Sequence, residues 1–397
     1  MDVTSESAQL KQIVALALEH AQRCGASQAE TSASTDEGLM LKVRQGHTDK
    51  VEFTRSHGLG ITVYNGQSKG SASTSDLSTD SVKRTVEAAW AIARHTQPDA
   101  CAGLAEAGLM ATEIPDLELY HPWALGVEEA QQLALQGEQA AMAQPGVDRC
   151  EAFSVASAAS VRAYGNSHGL QVIVPASRHS MGCSLIARQG DEQQRDGWGI
   201  SARAKELLPA VEFVAQQGAR RVTRRLGARK LDTCSVPVLF DAELASGLIS
   251  HFLSAISGAS LYRKSSFLQE SLGKPVFPAF LDISEHPRLR GGYASAAVDG
   301  DGLATREKSF VIGGQVESYV LGTYSARKLG MASTANAGGV RNIRMQGGVC
   351  PLPELLRTMQ RGLWVTELMG QGINLVTGDY SRGAAGFWVE QGEIQFP

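Results

Sequence analysis

The sequence predicts an α+β protein, with an N-terminal domain of duplicated helix and antiparallel-strand units followed by a β-rich C-terminal domain. Three observations carry this expectation. Between residues 1 and 98 the apolar period changes from helical to alternating and back to helical. The same order, helix then strands then helix, returns between residues 125 and 228. Past Lys230 the character shifts to short apolar runs punctuated by glycine turns.

Residues 7 to 24 place Leu10, Ile13, Val14, Ala17, Leu18 and Ala21 on one stripe, and Gly25 follows as a stop. From 28 to 77, runs such as LMLKVRQ, KVEFTRS and LGITVYN alternate apolar and polar residues. Turn chemistry at Asp36-Glu37-Gly38, Gln45-Gly46, His57-Gly58 and Asn65-Gly66 divides them into an antiparallel meander. A helix over 79 to 95 then presents Val82, Val86, Ala89, Trp90 and Ala93. After a Pro- and Gly-punctuated stretch at 97 to 124, a helix at 127 to 144 leads into strands including SVRAYGNSHGLQVIV and into a helix at roughly 207 to 226. Ser56-His57-Gly58-Leu59 is matched 111 residues later by Ser167-His168-Gly169-Leu170, each before an apolar strand. This match suggests a duplicated module, with His57 and His168 as turn residues beside a permissive glycine.

The expected domains are therefore 1 to 230, containing repeats 1 to 98 and 125 to 228, and 231 to 397. In the second domain SVPVLFD at 235 to 241 reads as a buried strand, 242 to 258 as a helix, 293 to 348 as short strands, and 351 to 363 as a proline-started helix. The closing segment, GDYSRGAAGFWVEQGEIQFP, reads as a turn feeding a hairpin.

Composition narrows the function classes. With a net charge of -4 and one short basic cluster, RRVTRR at 220 to 225, nothing favours nucleic acid. The six cysteines are widely separated, as expected of reduced thiols in a cytosolic protein. No leader-like start and no run of about 18 apolar residues is present, so a cytoplasmic chain without membrane partners is expected.

Three motifs bear on chemistry. Ser325-Ala326-Arg327-Lys328 is formally S-x-x-K, in which a lysine one turn away activates a serine; neither S-D-N nor K-T-G follows it at a fitting distance. Ser381 in GDYSRG lacks the strand-turn-helix setting of a nucleophile elbow, so turn chemistry is the better reading. A zinc protease helix needs two imidazoles one turn apart with a carboxylate beside them. Among nine histidines no such pair exists. His251 comes nearest, on the apolar face of a helix, where a hydrogen-bonded core or interface histidine is the default.

Taken together, residues 51 to 78, LYRKSSFLQESLGK (261 to 274), TYSARKLGMASTANAGG (323 to 339) and residues 365 to 397 resemble the TldD/PmbA family, in its PmbA-like (TldE) branch. The resemblance implies a cytoplasmic bacterial protein of a group earlier named modulators of DNA gyrase. It also implies one half of a zinc-dependent peptidase, acting with a TldD-like partner on unfolded peptides and on leader segments of microcin-type precursors. In TldD-like chains the C-terminal domain carries H-E-x-x-x-H, and its place here is His251-Phe252-Leu253-Ser254-Ala255-Ile256. One ligand position is kept while the base and second ligand are lost. No cofactor is then expected on this chain, with zinc in the partner, and the chain would stop short of the region holding the family's third ligand. Tyr262, Arg263 and Lys264, together with Asp379, Tyr380 and Arg382, are the candidate substrate-channel residues, with ordinary turn bonding as their alternative. Peptide capture by strand addition would suit the short strands and glycine turns. An independent serine hydrolase using Ser325 and Lys328, or a non-catalytic peptide binder, are the competing readings.

Overall fold

The computed structural model describes residues 1–397. Helix α1 (Val3–Arg23) starts ahead of its apolar stripe because Asp2 caps it, accepting from the amides of Thr4 and Ser5. Strands β1 (Gln28–Arg44), β2 (His47–Asn65) and β3 (Ser68–Thr74) form the meander, and α2 (Thr79–His95) follows, capped by Ser78. The order then repeats as α3 (Val127–Met142), β4 (Val147–Asn166), β5 (Gln171–Gln189), β6 (Glu192–Ala202) and α4 (Val211–Thr223).

All six strands belong to one antiparallel sheet, in the order β3-β2-β1-β4-β5-β6. The two units thus join edge to edge through β1 and β4, which hides two of the four sheet edges that separate meanders would expose. The four helices cover one face. Leu10, Val14, Ile61, Val63, Val82 and Val86 fill the core under α1 and α2; Leu41, Phe153, Val155, Leu185, Val214 and Val222 fill the one under α3 and α4.

Two predicted turns are not turns. Asp36-Glu37-Gly38 and His57-Gly58 lie inside paired strands, Glu37 opposite Arg55 and Thr35 opposite His57. β1 is central, so both edges of its backbone are hydrogen-bonded, and that ladder overrides local turn preference. Gly38 is kept small by its neighbour instead: a Cβ there would come within 3.3 Å of the Ala158 methyl. The S-H-G-L match is likewise not an equivalence, because its first copy is mid-strand and its second spans the β4–β5 turn. The register reveals a different repeat. Thr35 Oγ1 lies 3.2 Å from His57 Nδ1, Ser157 Oγ lies 3.0 Å from His179 Nδ1, and both members of the second pair stand 122 residues beyond the first.

The C-terminal half comprises β7 (Val238–Phe240), α5 (Ala242–Ala255), α6 (Gly258–Tyr262), β8 (Asp282–Glu285), β9 (Lys308–Ile312), β10 (Gln315–Val316), α7 (Thr323–Leu329) and β11 (Ile343–Gln346). It continues with α8 (Leu352–Met359), β12 (Gly362–Met369), β13 (Ile373–Asn374), β14 (Asp379–Tyr380), β15 (Gly383–Glu390) and β16 (Glu393–Phe396). Its sheets run β10-β9-β8-β11 and β16-β15-β12-β7, with a β13–β14 ribbon, and only β7 and β12 pair in parallel.

The helix expected over 242 to 258 breaks at Ser257, which caps α6 while Ile256 and Gly258 bond across to Val320. The helix expected over 351 to 363 ends at Met359, because Gln360 takes a φ of 59° and the chain turns into β12. The two halves are joined through the 97 to 124 segment. Arg327 on α7 donates to the carbonyls of Gly103 and Leu104, Tyr324 donates to Asp99, and Leu117 and Leu119 pack on Ala297. No helix is long and apolar enough to cross a membrane.

Candidate functional site

The sheet face turned away from the helices floors a cleft of about 1160 Å³. Alternation sends even-numbered residues of β1 and β4 to that face. Those positions hold Ser32, Ser34, Gly38, Ala156 and Ala158, and Gly58 and Gly60 of β2 lie beside them, so the floor is open. The segment from Ser295 to Gly300 forms the opposite wall. Sequence reading missed this cleft, although the small residues at every second position of long strands were there to be seen.

Charge is distributed unevenly along the cleft. In an adjoining pocket beyond the β1–β2 end, Glu30 accepts from the hydroxyls of Tyr64 and Tyr164, and burial pushes the Glu30 carboxyl up from its ordinary value. Both tyrosines are pushed up as well, first by burial and then by Glu30. Asp299 accepts from the amides of Asp301, Leu303 and Ala337. Burial, followed by the Asp301 charge, still raises it to about 6. At the β5 end stand Arg162, Arg178 and Arg203, and Asp36 lies 3.7 Å from Arg162.

The zinc-helix position is occupied by α5, where His251 is half-buried and meets Tyr380 edge-on at 6.2 Å between ring centroids. Tyr380 in turn contacts Phe240 at 6.4 Å, so the imidazole belongs to an aromatic cluster. Phe252 and Ile256 point into the C-terminal core. No three His, Cys, Asp or Glu side chains stand where they could hold a metal ion. Since a catalytic zinc takes three protein ligands, the residues around His251 do not fit one.

The six channel candidates lie in two neighbouring segments, one at the end of α6 and one at β14 and the turn after it. Tyr262 packs against Tyr324, Arg263 stacks on Tyr262, and Lys264 has a φ of 56°. Asp379 accepts from Thr377 and Arg382 donates to the Met369 carbonyl, both exposed. The segments meet where the Phe267 amide donates to the Leu375 carbonyl at 2.8 Å, and none of the six lines the large cleft.

The S-x-x-K reading fails on geometry. Ser325 donates to the Gly322 carbonyl and packs against Gly258, while Lys328 gives its ammonium to Asp99 at 2.9 Å. That bond raises the Lys328 pKa, so the amine stays protonated and cannot act as a base toward Ser325. Ser381 is a ribbon residue, its amide donating to the Gly372 carbonyl, which agrees with turn chemistry rather than a nucleophile.

Comparison with known proteins adds the family. Models described as PmbA/TldA metallopeptidase domain 1, central domain and C-terminal domain match residues 29–93, 120–226 and 233–397. The Metalloprotease PmbA homolog of Haemophilus influenzae is 46% identical over 398 residues, spanning 99% of this chain and 87% of that one. A Bacteroides thetaiotaomicron structure described as a candidate modulator of DNA gyrase superposes with a TM-score of 0.91 at 23% identity, covering 98% of this chain and 88% of the other. TldE from Thermococcus kodakarensis does so with 0.76 at 18%, covering 95% and 88%. Such low identities speak for the fold alone; the family models and the Haemophilus relative carry the assignment, and the chain belongs to the PmbA/TldD metallopeptidase family.

Proposed function

We propose that this chain is a TldE-type subunit of a cytosolic, zinc-dependent peptidase, binding unfolded and leader peptides while a TldD-like partner holds the zinc and cleaves. One observation carries the division of labour. After His251, Phe252 on α5 and Ile256 just past its end are core residues, so the positions where a base and a second ligand would stand offer neither. Membership of a metallopeptidase family without a metal-binding helix in the chain is best reconciled by a partner that supplies one.

The cleft is the proposed peptide site. Its volume, about 1160 Å³, exceeds the roughly 300–1,000 Å³ usual for small-molecule pockets, and a long open floor suits an extended chain. Its floor is sheet interior, where the ladder already occupies backbone donors and acceptors. A peptide there would be held by side chains, and strand addition would be confined to the outer strands β3 and β6.

The test is zinc content and peptidase activity of this chain, of a TldD-like chain, and of their mixture. Zinc below stoichiometry on this chain, with cleavage only in the mixture, is expected. Stoichiometric zinc on the isolated chain, or cleavage by it alone, would overturn the assignment. Peptide binding with no activity in any mixture would favour a non-catalytic binder.

A further inference from the structure

The basic end of the cleft carries two guanidinium groups that nothing in the protein neutralises. Arg178 on β5 and Arg203, just past β6, both lie over the ring of Tyr293, each with its guanidinium carbon 5.4 Å from the centroid. Arg203 donates to the carbonyls of Ser177 at 2.9 Å and Tyr293 at 2.6 Å, so it also ties the sheet to the C-terminal half. Its Nε is buried without a partner. Arg178 is exposed, and its one hydrogen bond is a long contact of 3.5 Å with Ser201 Oγ.

Neither residue has an ion-pair partner, although the chain has 41 acidic residues against 37 basic ones. Of the carboxylates that line the cleft, Asp36 is engaged with Arg162 and Glu37 with the N-terminal ammonium. Two like charges sharing one aromatic ring repel each other. Burial holds the Arg203 guanidinium below its ordinary value; Tyr293 opposes that shift and Arg178 adds a smaller push in the same direction as burial. Their place over Tyr293 supplies cation–π attraction, and apart from the long contact with Ser201 the Arg178 donors are free. A planar fork with open donors in a partly desolvated cleft matches a carboxylate, which can accept two parallel bonds from it.

We propose that Arg178 and Arg203, stacked on Tyr293, form an anchoring subsite for a carboxylate of a peptide lying in the cleft, either its C-terminal carboxylate or an acidic side chain. The inference rests on the reading of the cleft as a peptide site. It sets a direction as well as an affinity: the anionic part of the peptide sits against β5, and the rest runs across the Gly- and Ser-lined floor toward Glu30.

Fluorescence anisotropy with the full chain tests this, using three labelled peptides of one short Ala/Ser-rich sequence. One is neutral with an amidated C-terminus, one has a free C-terminal carboxylate, and one is amidated with a single internal Glu. A charge-assisted pair in such a cleft should tighten binding about tenfold over the neutral peptide. A gain confined to the free terminus assigns the subsite to chain ends, and a gain confined to the Glu peptide assigns it to acidic side chains. Arg178→Gln, a change at an exposed position, should erase the gain of the charged peptides over the neutral one, and Arg178→Lys should restore part of it. Equal affinities for all three peptides, or discrimination that survives Arg178→Gln, would overturn the anchor while leaving the cleft a peptide site. If no peptide binds, the peptide reading of the cleft falls and the anchor falls with it.

Discussion

Asp299 sets a pH dependence that can be followed at the level of one residue. Its carboxylate is 4% exposed and accepts three backbone amides, yet burial and the Asp301 charge lift it from 3.8 to about 6. The folded state therefore binds this proton more tightly than the unfolded chain does. Stability from this group is fully present below its ordinary value and is lost as pH rises through about 6. A shift of this size corresponds to about 3 kcal/mol, reached gradually across that window. Unfolding free energies measured from pH 4 to 7 should fall with rising pH in the wild type and vary less in Asp299→Asn. Equal slopes would show that the carboxyl is ionised throughout. Residues such as Asp299 were not legible from sequence, because its environment is assembled from Leu303 and Ala337 on separate turns. His251 shows the intermediate case. Its helix and partly covered face were readable from the apolar spacing of the segment, whereas its contact with Tyr380 depends on a ribbon more than a hundred residues away.

At the scale of elements, the contact between β3 and α2 is made possible by Gly70. A Cβ at this position would fall within the Ala89 and Ala93 backbone of α2, which has no flexible end to move aside. Gly70→Ala should therefore cost about 1–3 kcal/mol or more, since the helix must lift off the core formed by Val82, Val86 and Ala89. A urea midpoint lowered at unchanged slope is the expected result, and an unaltered midpoint would mean that α2 is free to shift. The positions of all four N-terminal helices were legible because their apolar stripes repeat at helical spacing. Strand lengths were not. Gly38 and His57-Gly58 look like turn residues in isolation, but Gly38 has a ladder partner on each side and His57-Gly58 pair with Thr35 and Ser34 of the central strand, so the extended conformation satisfies their backbone groups.

For the whole molecule, the 97 to 124 segment works as the joint between halves. Arg327 donates to the carbonyls of Cys101, Gly103 and Leu104 and to the Glu106 carboxylate, with bonds from 2.7 to 3.4 Å. Arg327→Ala leaves those carbonyls without their donor, and hydrogen exchange of the amides around 101 to 106 should speed up while α1 to α4 keep their protection. Unchanged exchange there would show that Tyr324 and Lys328, both bonded to Asp99, hold the joint without it.

The sequence by itself determined the α+β class, the four N-terminal helices, the closing hairpin, the failure of a second ligand beside His251 and the family resemblance. Each of these rests on local spacing or on a contiguous motif. Tertiary structure alone decided that the two units share one sheet, that their true equivalence runs through Thr35–His57 and Ser157–His179, and that Arg178 and Arg203 converge on Tyr293 across a cleft. Strand partnership and charge convergence depend on which distant segments meet, and the side-chain period of a strand tells only which face a residue takes, never what lies opposite.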